Sequence, residues 1–224
     1  MRNDDFLQSP LFRSADPEGR AHRLFDYLVP GRAPDAWVFG YGSLMWDPGF
    51  PHIEAVPARL QGYHRRFCVY SYRYRGTPEK PGLVLGLDRG GACNGIAYRV
   101  AASDLADIST YLWHREMGNG VYRAAPRRLR LDSREIDALC FVANPANPQY
   151  AGHLDRLQVA AIVSHAVGGR GACREYLLNT LERLRAMGLR DRSLLAVARL
   201  VTALDEGRMA VPALPPAPAD PEHF

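Results

Sequence analysis

The order in which strand-like and helix-like segments follow one another constrains the fold of this chain more than any other feature. Short runs rich in β-branched and aromatic residues, separated by glycine and proline, come first and are typical of strands. They occupy residues 37–39, 55–60, 67–71, 83–87 and 95–100. A helix over 103–117 follows, then a hairpin-like pair at 129–131 and 136–142, and the last third is helical in pattern. This order predicts an α+β domain with a closed or nearly closed sheet.

The two ends of the chain differ in composition from its middle. Residues 1–35 mix polar residues with a short amphipathic piece that Pro30, Gly31 and Pro34 interrupt, which indicates an N-terminal extension. Five of the last thirteen residues are proline, so the tail at 207–224 is expected to be extended or disordered. We therefore expect one compact domain over 36–206.

Charge and composition exclude several classes of protein. The net charge of +4 is too small to require nucleic acid, although it suits an anionic small substrate. No apolar run reaches the length of a membrane span, and the N-terminus lacks the apolar centre of a signal peptide. The four cysteines stand apart from one another, as in proteins of a reducing compartment. We therefore expect a cytoplasmic protein that neither enters a membrane nor binds nucleic acid.

The segment from Trp37 to Leu44 predicts a buried strand followed by a turn that presents its backbone. Gly40 and Gly42 flank Tyr41, and glycines permit a positive φ and the close approach of a ligand. Amide N–H groups exposed in such a turn suit a carboxylate or a developing oxyanion. A strand that ends in a glycine turn is more often only a turn, so both interpretations stay open at this point.

The helix predicted over 103–117 carries an acidic residue on its apolar stripe. Ser103 is the expected N-cap, and Gly118 is expected to end the helix. Glu116 continues the four-residue step from Ile108 to Leu112, so it faces the core. Desolvation there raises the pKa of a carboxyl group, as a general base working near pH 7 requires. The alternative is a residue at the edge of the core, or one in an ion pair with an arginine at the helix end.

Other polar groups give weaker signals. The run Tyr72-Arg73-Tyr74-Arg75 joins rings and cations as single-strand binders do, but no nucleic-acid motif accompanies it. An arginine of this loop can instead hold a substrate carboxylate with two hydrogen bonds. His114 and His165 have no partners at ligand spacing, so no metal site is predicted. Ser43 has no adjacent base, which leaves a hydrolase triad unsupported.

Short motifs spread in order along the chain match one family. They are Val38-Phe39-Gly40-Tyr41-Gly42-Ser43-Leu44-Met45-Trp46, Arg66-Phe67-Cys68, Arg75-Gly76-Thr77, Pro81-Gly82, Gly95-Ile96-Ala97-Tyr98-Arg99, Leu112-Trp113-His114-Arg115-Glu116-Met117, Asn147-Pro148-Gln149-Tyr150 and Glu175-Tyr176-Leu177. On these motifs the sequence, over about 37–187, resembles the ChaC-type, glutathione-specific γ-glutamylcyclotransferases.

The resemblance implies a fold, a reaction and a set of site residues. The fold is a small mixed β-barrel flanked by α-helices, and the reaction cleaves glutathione to 5-oxoproline and cysteinylglycine without a cofactor. Glu116 would be the catalytic acid and base, and Tyr176 a further site residue. Apart from what the resemblance implies, we expect Arg75 to hold the distal carboxylate of glutathione, because a guanidinium can bind a carboxylate with two hydrogen bonds; a structural ion pair is the alternative. The loop that holds the γ-glutamyl head would be Tyr41, Gly42, Ser43 and Leu44.

The match departs from the family in one loop. The family often has Gly-Pro-x-Gly-x-Asn where this chain has Gly168-Gly169-Arg170-Gly171-Ala172-Cys173, so the contacts of this loop are left open. A cyclotransferase for other γ-glutamyl amino acids or amines is the nearest alternative, because the same turn and acid serve both. A non-catalytic binding protein or regulator is a third, against which the intact Glu116 argues. The sequence does not fix the oligomeric state.

Overall fold

Five strands close into a mixed β-barrel in the computed structural model, which describes residues 24–25 and 35–220. The strand order is β1-β3-β2-β4-β5, the parallel pairing of β1 with β5 closes the barrel, and β3 also pairs with β5. The strands are β1 (Asp35–Gly40), β2 (Glu54–Ser71), β3 (Gly82–Ala101), β4 (Tyr122–Arg130) and β5 (Glu135–Ala143). This architecture confirms the predicted α+β class and barrel.

The first strand runs between two different kinds of neighbour. It is antiparallel to β3, where Val38 lies opposite Tyr98, and parallel to β5, where Val38 lies opposite Leu139. A strand paired on both sides and buried on both faces reads as a continuous apolar run, and Val38 and Phe39 are fully buried. The register brings the turn that follows Gly40 beside the part of β3 that carries Tyr98.

Two strands are much longer than the sequence predicted. The segments expected at 55–60 and 67–71 are one strand, β2, and those expected at 83–87 and 95–100 are one strand, β3. Glycines taken as breaks lie inside these strands with positive φ: 79° at Gly62, 101° at Gly90 and 63° at Gly91. A glycine inside a strand marks a bulge or a bend as readily as a turn, so the prediction of separate strands was wrong.

The inserted helix has three different geometries. A 3-10 turn (Ala102–Asp104) leads into α1 (Leu105–Leu112), and a π-helical turn (Trp113–Met117) ends at Gly118. The predicted N-cap at Ser103 was wrong, because Asp104 holds the cap position of α1. Ser103 lies in the 3-10 turn and donates its hydroxyl to Asp104 Oδ1 at 3.0 Å. The predicted end at Gly118 is confirmed.

The helical last third of the chain is confirmed. It contains α2 (Arg156–His165), α3 (Cys173–Ala186) and α4 (Arg192–Asp205). A capping box starts α2: Asp155 accepts from the amide of Gln158, whose side chain accepts from the amide of Asp155. A two-stranded hairpin, β6 (Val167–Gly168) and β7 (Gly171–Ala172), separates α2 from α3. No helix in the described ranges combines the length and apolar character needed to cross a bilayer.

The chain forms two compact units, each built from two stretches of sequence. The first takes in the described residues up to His64 together with Arg89–Val142, and the second takes in Arg65–Asp88 together with the described residues from Ala143 onward. The core of the first unit includes side chains from β1, β3, β5 and α1, and Leu24 and Phe25 are also buried in it. Most of the predicted extension at 1–35 lies outside the described residues.

In the second unit, α2, α3 and α4 pack against one another, and the tail follows α4. Residues 210–220 form no helix or strand. Hydrogen bonds hold this segment to the unit at two points: Gln158 Nε2 donates to the Ala213 carbonyl at 3.2 Å, and the Tyr72 hydroxyl donates to the Pro218 carbonyl at 2.7 Å.

The four cysteines are all free thiols and all buried. Cys68, Cys93 and Cys140 lie in β2, β3 and β5, and Cys173 is the first residue of α3. The Cys173 thiol donates to the Leu83 carbonyl at 3.0 Å. All four are packed as small, largely apolar side chains.

Candidate active site

The turn after β1 is a single 3-10 turn, Ser43–Met45. Its first internal hydrogen bond runs from the Met45 amide to the Gly42 carbonyl at 2.9 Å, and the Asp47 amide donates to the Ser43 carbonyl at 2.9 Å. The amides of Ser43 and Leu44 therefore precede the first internal bond. Amides at the start of a helical turn have no partner within the turn, so they suit an outside acceptor.

The glycines of this turn do not take the predicted conformation. Gly42 has a φ of −124°, and Gly40 also lies outside the positive-φ region, so the prediction was wrong for both. The packing around Gly40 is tight instead, because a Cβ atom there would lie 3.1 Å from Leu44 Cβ and 3.1 Å from a ring carbon of Tyr98. The absence of a side chain lets the turn fold back onto the barrel wall.

Tyr98 fixes the carbonyl side of the turn. Its hydroxyl donates to the Leu44 carbonyl at 2.8 Å and lies 3.1 Å from the Met45 carbonyl. Burial raises the pKa of Tyr98 to about 12, so the hydroxyl is a donor at neutral pH. Sequence reasoning gave Tyr98 no role. The available signal was a tyrosine within a matched motif on a predicted strand, but its target lies 54 residues away.

Glu116 lies in the π-helical turn, and its side chain is 13% exposed. Burial raises the pKa of this carboxyl above its ordinary value, although the neighbouring Arg115 guanidinium opposes the rise. The predicted direction of the pKa shift is confirmed, and so is the ion pair that stood as its alternative: Arg115 Nε donates to Glu116 Oε1 at 3.2 Å. The assumed α-helical step to Glu116 was wrong, because α geometry ends at Leu112. Single π turns are frequent at functional sites.

Arg115 connects the turn and the acid. Its Nη2 donates to Ser43 Oγ at 3.0 Å, and its Nη1 donates to the Asp47 carbonyl at 2.8 Å. Nη1 also lies 2.8 Å from the Tyr111 hydroxyl, and the side chain is 14% exposed. Two features that the sequence singled out, the glycine turn and Glu116, therefore meet at one guanidinium. Arg115 was overlooked as a site residue, although it stands beside Glu116 in the quoted motif.

The second unit brings Arg75 and Tyr176 together. The Arg75 guanidinium lies over the ring of Tyr176, 5.1 Å from its centroid, and Nη1 donates to the Ala172 carbonyl at 3.3 Å. Tyr176 is buried and packs edge-on against Phe67 with centroids 6.0 Å apart. Within residues 35–220 no carboxylate lies within ion-pair distance of Arg75, so the alternative of a structural ion pair does not apply there.

The loop at 168–173, whose contacts the sequence left open, supports the segment that carries Arg75. The Gly169 amide donates to the Arg73 carbonyl at 2.7 Å, and the Arg170 amide donates to the Tyr74 carbonyl at 2.9 Å. A Cβ atom on Gly168 would lie 2.5 Å from the Gly76 amide nitrogen, so the two backbones are in direct contact. The glycine-rich hairpin thus takes the 73–76 segment as a neighbour and fixes the backbone that carries Arg75.

The predicted site residues fall into two groups. Tyr41, Gly42, Ser43, Leu44 and Glu116 belong to the first unit, and Arg75 and Tyr176 belong to the second. In the first group, Arg115 connects Ser43 with Glu116 by hydrogen bonds to both. In the second, Arg75 contacts Tyr176 directly. Among the described residues, no three histidine, cysteine, aspartate or glutamate side chains gather as ligands for a metal ion.

Comparison with known proteins gives one consistent result. The family model of the ChaC-like proteins matches residues 36–204. The glutathione-specific γ-glutamylcyclotransferase of Escherichia coli K12 is 36% identical over 191 residues, which is 84% of this chain and 81% of that protein. Glutathione-specific γ-glutamylcyclotransferase 1 of Rattus norvegicus is 31% identical and covers 91% of this chain and 94% of its own.

A solved structure agrees with this result at the level of the fold. The crystal structure of a selenomethionine-labelled γ-glutamylcyclotransferase specific to glutathione, from yeast, superposes with a TM-score of 0.70 at 21% identity. The alignment covers 76% of this chain and 96% of the yeast chain. The barrel, the glycine turn at the end of β1 and the match over 36–204 lead to one conclusion: this chain belongs to the ChaC-like protein family.

Proposed function

We propose that this protein is a glutathione-specific γ-glutamylcyclotransferase that converts glutathione to 5-oxoproline and cysteinylglycine without a cofactor. The observation that carries the proposal is a desolvated carboxyl, Glu116, whose pKa is raised and which one guanidinium joins to the glycine turn. Relatives that bear this activity in their names match most of the chain, which supports the same proposal.

The reaction needs proton transfer more than it needs a nucleophile. The neutral α-amine of the γ-glutamyl group attacks its own γ-carbonyl carbon and closes a five-membered ring. Attack within one molecule avoids much of the entropic cost of bringing two reactants together. The attacking nitrogen then carries an extra proton, and the bond from the carbonyl carbon to the cysteine nitrogen breaks only when that nitrogen gains one. No protein group has to be acylated.

We assign both proton transfers to Glu116. An ionised carboxylate takes the proton from the attacking nitrogen, and the resulting acid gives it to the leaving nitrogen. A carboxylate with an ordinary pKa is a weak base at pH 7, whereas a raised pKa brings the group closer to the operating pH and suits it to both transfers. The burial of Glu116 supports this assignment, because burial is the largest cause of its pKa shift.

We assign the γ-glutamyl head to the turn formed by Tyr41, Gly42, Ser43 and Leu44. The amides of Ser43 and Leu44 precede the internal bonds of the turn, so they suit the oxyanion that forms at the γ-carbonyl. The Tyr98 hydroxyl donates a hydrogen bond to the Leu44 carbonyl and holds that part of the turn in place. The Leu44 N–H belongs to the peptide group of the Ser43 carbonyl, which accepts from the Asp47 amide at 2.9 Å, so this N–H keeps a fixed direction, as a preorganised oxyanion site requires.

We assign the glycine carboxylate of glutathione to Arg75. The guanidinium of Arg75 meets a ring and one carbonyl within the described part of the chain, so it keeps donor capacity for an anion. Tyr176 supports it from below the guanidinium plane. An anionic substrate also agrees with the small positive net charge. We place the reaction in the cytoplasm, where the four buried free thiols fit a reducing environment.

Incubation of the purified protein with glutathione tests the proposal, with 5-oxoproline and cysteinylglycine measured by mass spectrometry. We expect the two products in equal amounts, at similar rates from the wild type and from E135Q, a control at an exposed glutamate, and ~10²–10⁴-fold more slowly from E116Q. A folded wild type that releases no 5-oxoproline would overturn the proposal. Equal or faster turnover of γ-glutamylalanine, which lacks the distal glycine, would favour the broader cyclotransferase instead.

A further inference from the structure

Arg115 makes contacts in three directions from one side chain. We propose that Arg115 is a positioning residue of the reaction, which holds the Glu116 carboxylate and the loop at 43–49 in one geometry. The inference deepens the proposed function and rests on it. In the proposed reaction Arg115 touches no reacting atom, and it acts through Glu116 and through the loop.

The donor geometry is specific to a guanidinium. Nε points to Glu116 Oε1 at 3.2 Å, Nη2 to Ser43 Oγ at 3.0 Å, and Nη1 to the Asp47 carbonyl at 2.8 Å. The Pro48 carbonyl also accepts from Nη1, at 3.2 Å. A planar fork with five N–H donors can serve these acceptors together, whereas a lysine ammonium offers one point of attachment.

A glycine in the loop provides independent support. Gly49 has a φ of 72°, and a Cβ atom there would lie 1.8 Å from Tyr111 Oη and 3.2 Å from Arg115 Nη1. The Tyr111 hydroxyl in turn lies 2.8 Å from Arg115 Nη1, and the guanidinium lies 5.8 Å from the centre of its ring. The loop therefore lacks a side chain at Gly49, where both Tyr111 and Arg115 approach its backbone.

The charge of Arg115 gives the inference a measurable consequence. Burial raises the pKa of Glu116, and Arg115 lowers it through charge and through a hydrogen bond. Asp47 and the Tyr111 hydroxyl lie around Arg115 in turn and stabilise its charge. Glu116 must be ionised to accept a proton, so kcat/KM falls as the pH drops through its pKa. Without the arginine, nothing opposes the effect of burial, so the pKa of Glu116 rises further. The acidic limb of the plot of kcat/KM against pH then moves to higher pH.

Two substitutions separate the charge from the geometry. R115M removes both, and we expect kcat to fall by roughly 10²-fold, the scale of a catalytic group misplaced by about 1 Å, with KM changed much less. Its acidic limb should move to higher pH. R115K retains the charge without the fork, so kcat should fall while the limb stays near its wild-type position. R128M is the matched control, because Arg128 pairs with Asp137 on the surface of the same unit.

A second pair of variants tests the loop without touching the charge. G49A should lower kcat, because the added methyl group collides with Tyr111 and displaces the loop from Arg115. G62A is its control, since Gly62 also has a positive φ (79°) but a Cβ atom there would meet nothing within 4 Å. Added guanidinium ion should restore part of the turnover of R115A and none of the turnover of E116Q.

Specific outcomes would overturn the inference. A folded R115M with wild-type kcat and an unmoved acidic limb would do so, as would a rise in KM with kcat unchanged, which marks a substrate contact. If R115M fails to fold, R115K and G49A decide by the same criteria. An E116Q as active as the wild type would assign the acid and base to another group, and an inactive wild type would refute the proposed function instead. In that case carboxyl NMR titration of Glu116 still decides, because the pKa must be higher in R115A than in the wild type.

Discussion

Two arginines, one in each compact unit, are held by the protein in different ways. Arg115 is 14% exposed, and protein acceptors surround it: a carboxylate, two hydroxyls and two backbone carbonyls. Arg75 lies over the ring of Tyr176 and donates to the single carbonyl of Ala172. We propose that the first arrangement uses the guanidinium to organise a site and that the second keeps donors for an anion. The partners of an arginine therefore indicate its task better than its sequence motif does.

The largest expected effect is at the acid that Arg115 holds. E116Q should keep the fold and lower kcat by ~10²–10⁴-fold, because an amide preserves the shape but cannot transfer a proton. Steady-state release of 5-oxoproline measures the loss, and E135Q is the control, since Glu135 is an exposed partner of Arg128. A folded E116Q with turnover close to that of the wild type would assign the acid and base to another group.

Arg75 should give a smaller effect, and one that depends on the substrate. R75A should raise KM for glutathione by an amount worth roughly 1.5–3 kcal/mol, the scale of a charged hydrogen bond. Turnover of a γ-glutamyl substrate without the distal carboxylate should hardly change. R170A is the control, because Arg170 also lies over a tyrosine ring, that of Tyr74, at 4.8 Å. Equal losses on both substrates would show that Arg75 has a structural role.

The backbone contact that supports Arg75 can be tested separately. In G168A the new methyl group would lie 2.5 Å from the Gly76 amide nitrogen and 2.7 Å from that of Arg75, so one backbone must move. Overpacking of this kind costs about 1–3 kcal/mol of unfolding free energy. Urea denaturation measures it, with G118A as control, because the nearest atom to a Cβ there is 3.5 Å away. If G168A raises KM without a loss of stability, the comparison of Arg75 with Arg115 becomes sharper, since the substitution then acts on Arg75 alone.

The smallest effect is expected on the carbonyl side of the glycine turn. Y98F removes the donor to the Leu44 carbonyl, and one hydrogen bond is worth about 1 kcal/mol of unfolding free energy. The same denaturation experiment measures it, with Y63F as control, whose hydroxyl bonds to Arg127. If Y98F loses activity beyond its loss of stability, Tyr98 orients the turn as well as stabilising it.

The sequence predicted the class of fold because strand and helix patterns are local. It failed where one residue type has two structural uses. Glycines at 62, 90 and 91 were taken as ends of strands, but they bend strands that continue, and local composition does not separate the two cases. The π-helical turn at Trp113–Met117 carries no composition of its own, so an α-helical step was assumed.

The candidate site could be predicted only in part, for a related reason. Glu116 and the turn at 41–44 stand out because a carboxylate on an apolar stripe and a glycine pair are unusual in themselves. Arg115 and Tyr98 are ordinary in sequence, and their roles come from partners 72 and 54 residues away. Register and packing decide such contacts, and neither can be determined from a single sequence without the fold.

The buried thiols have a consequence for the proposed reaction, whose substrate is a thiol tripeptide. Burial raises the pKa of Cys68 to about 12 and that of Cys173 to about 11, and it raises the pKa of Cys140 as well. Thiol–disulfide exchange proceeds through the thiolate and requires access, so all three cysteines are poor partners for a mixed disulfide. Oxidised glutathione should therefore leave these positions unmodified, and the catalyst would keep working while the redox state of its substrate pool changes.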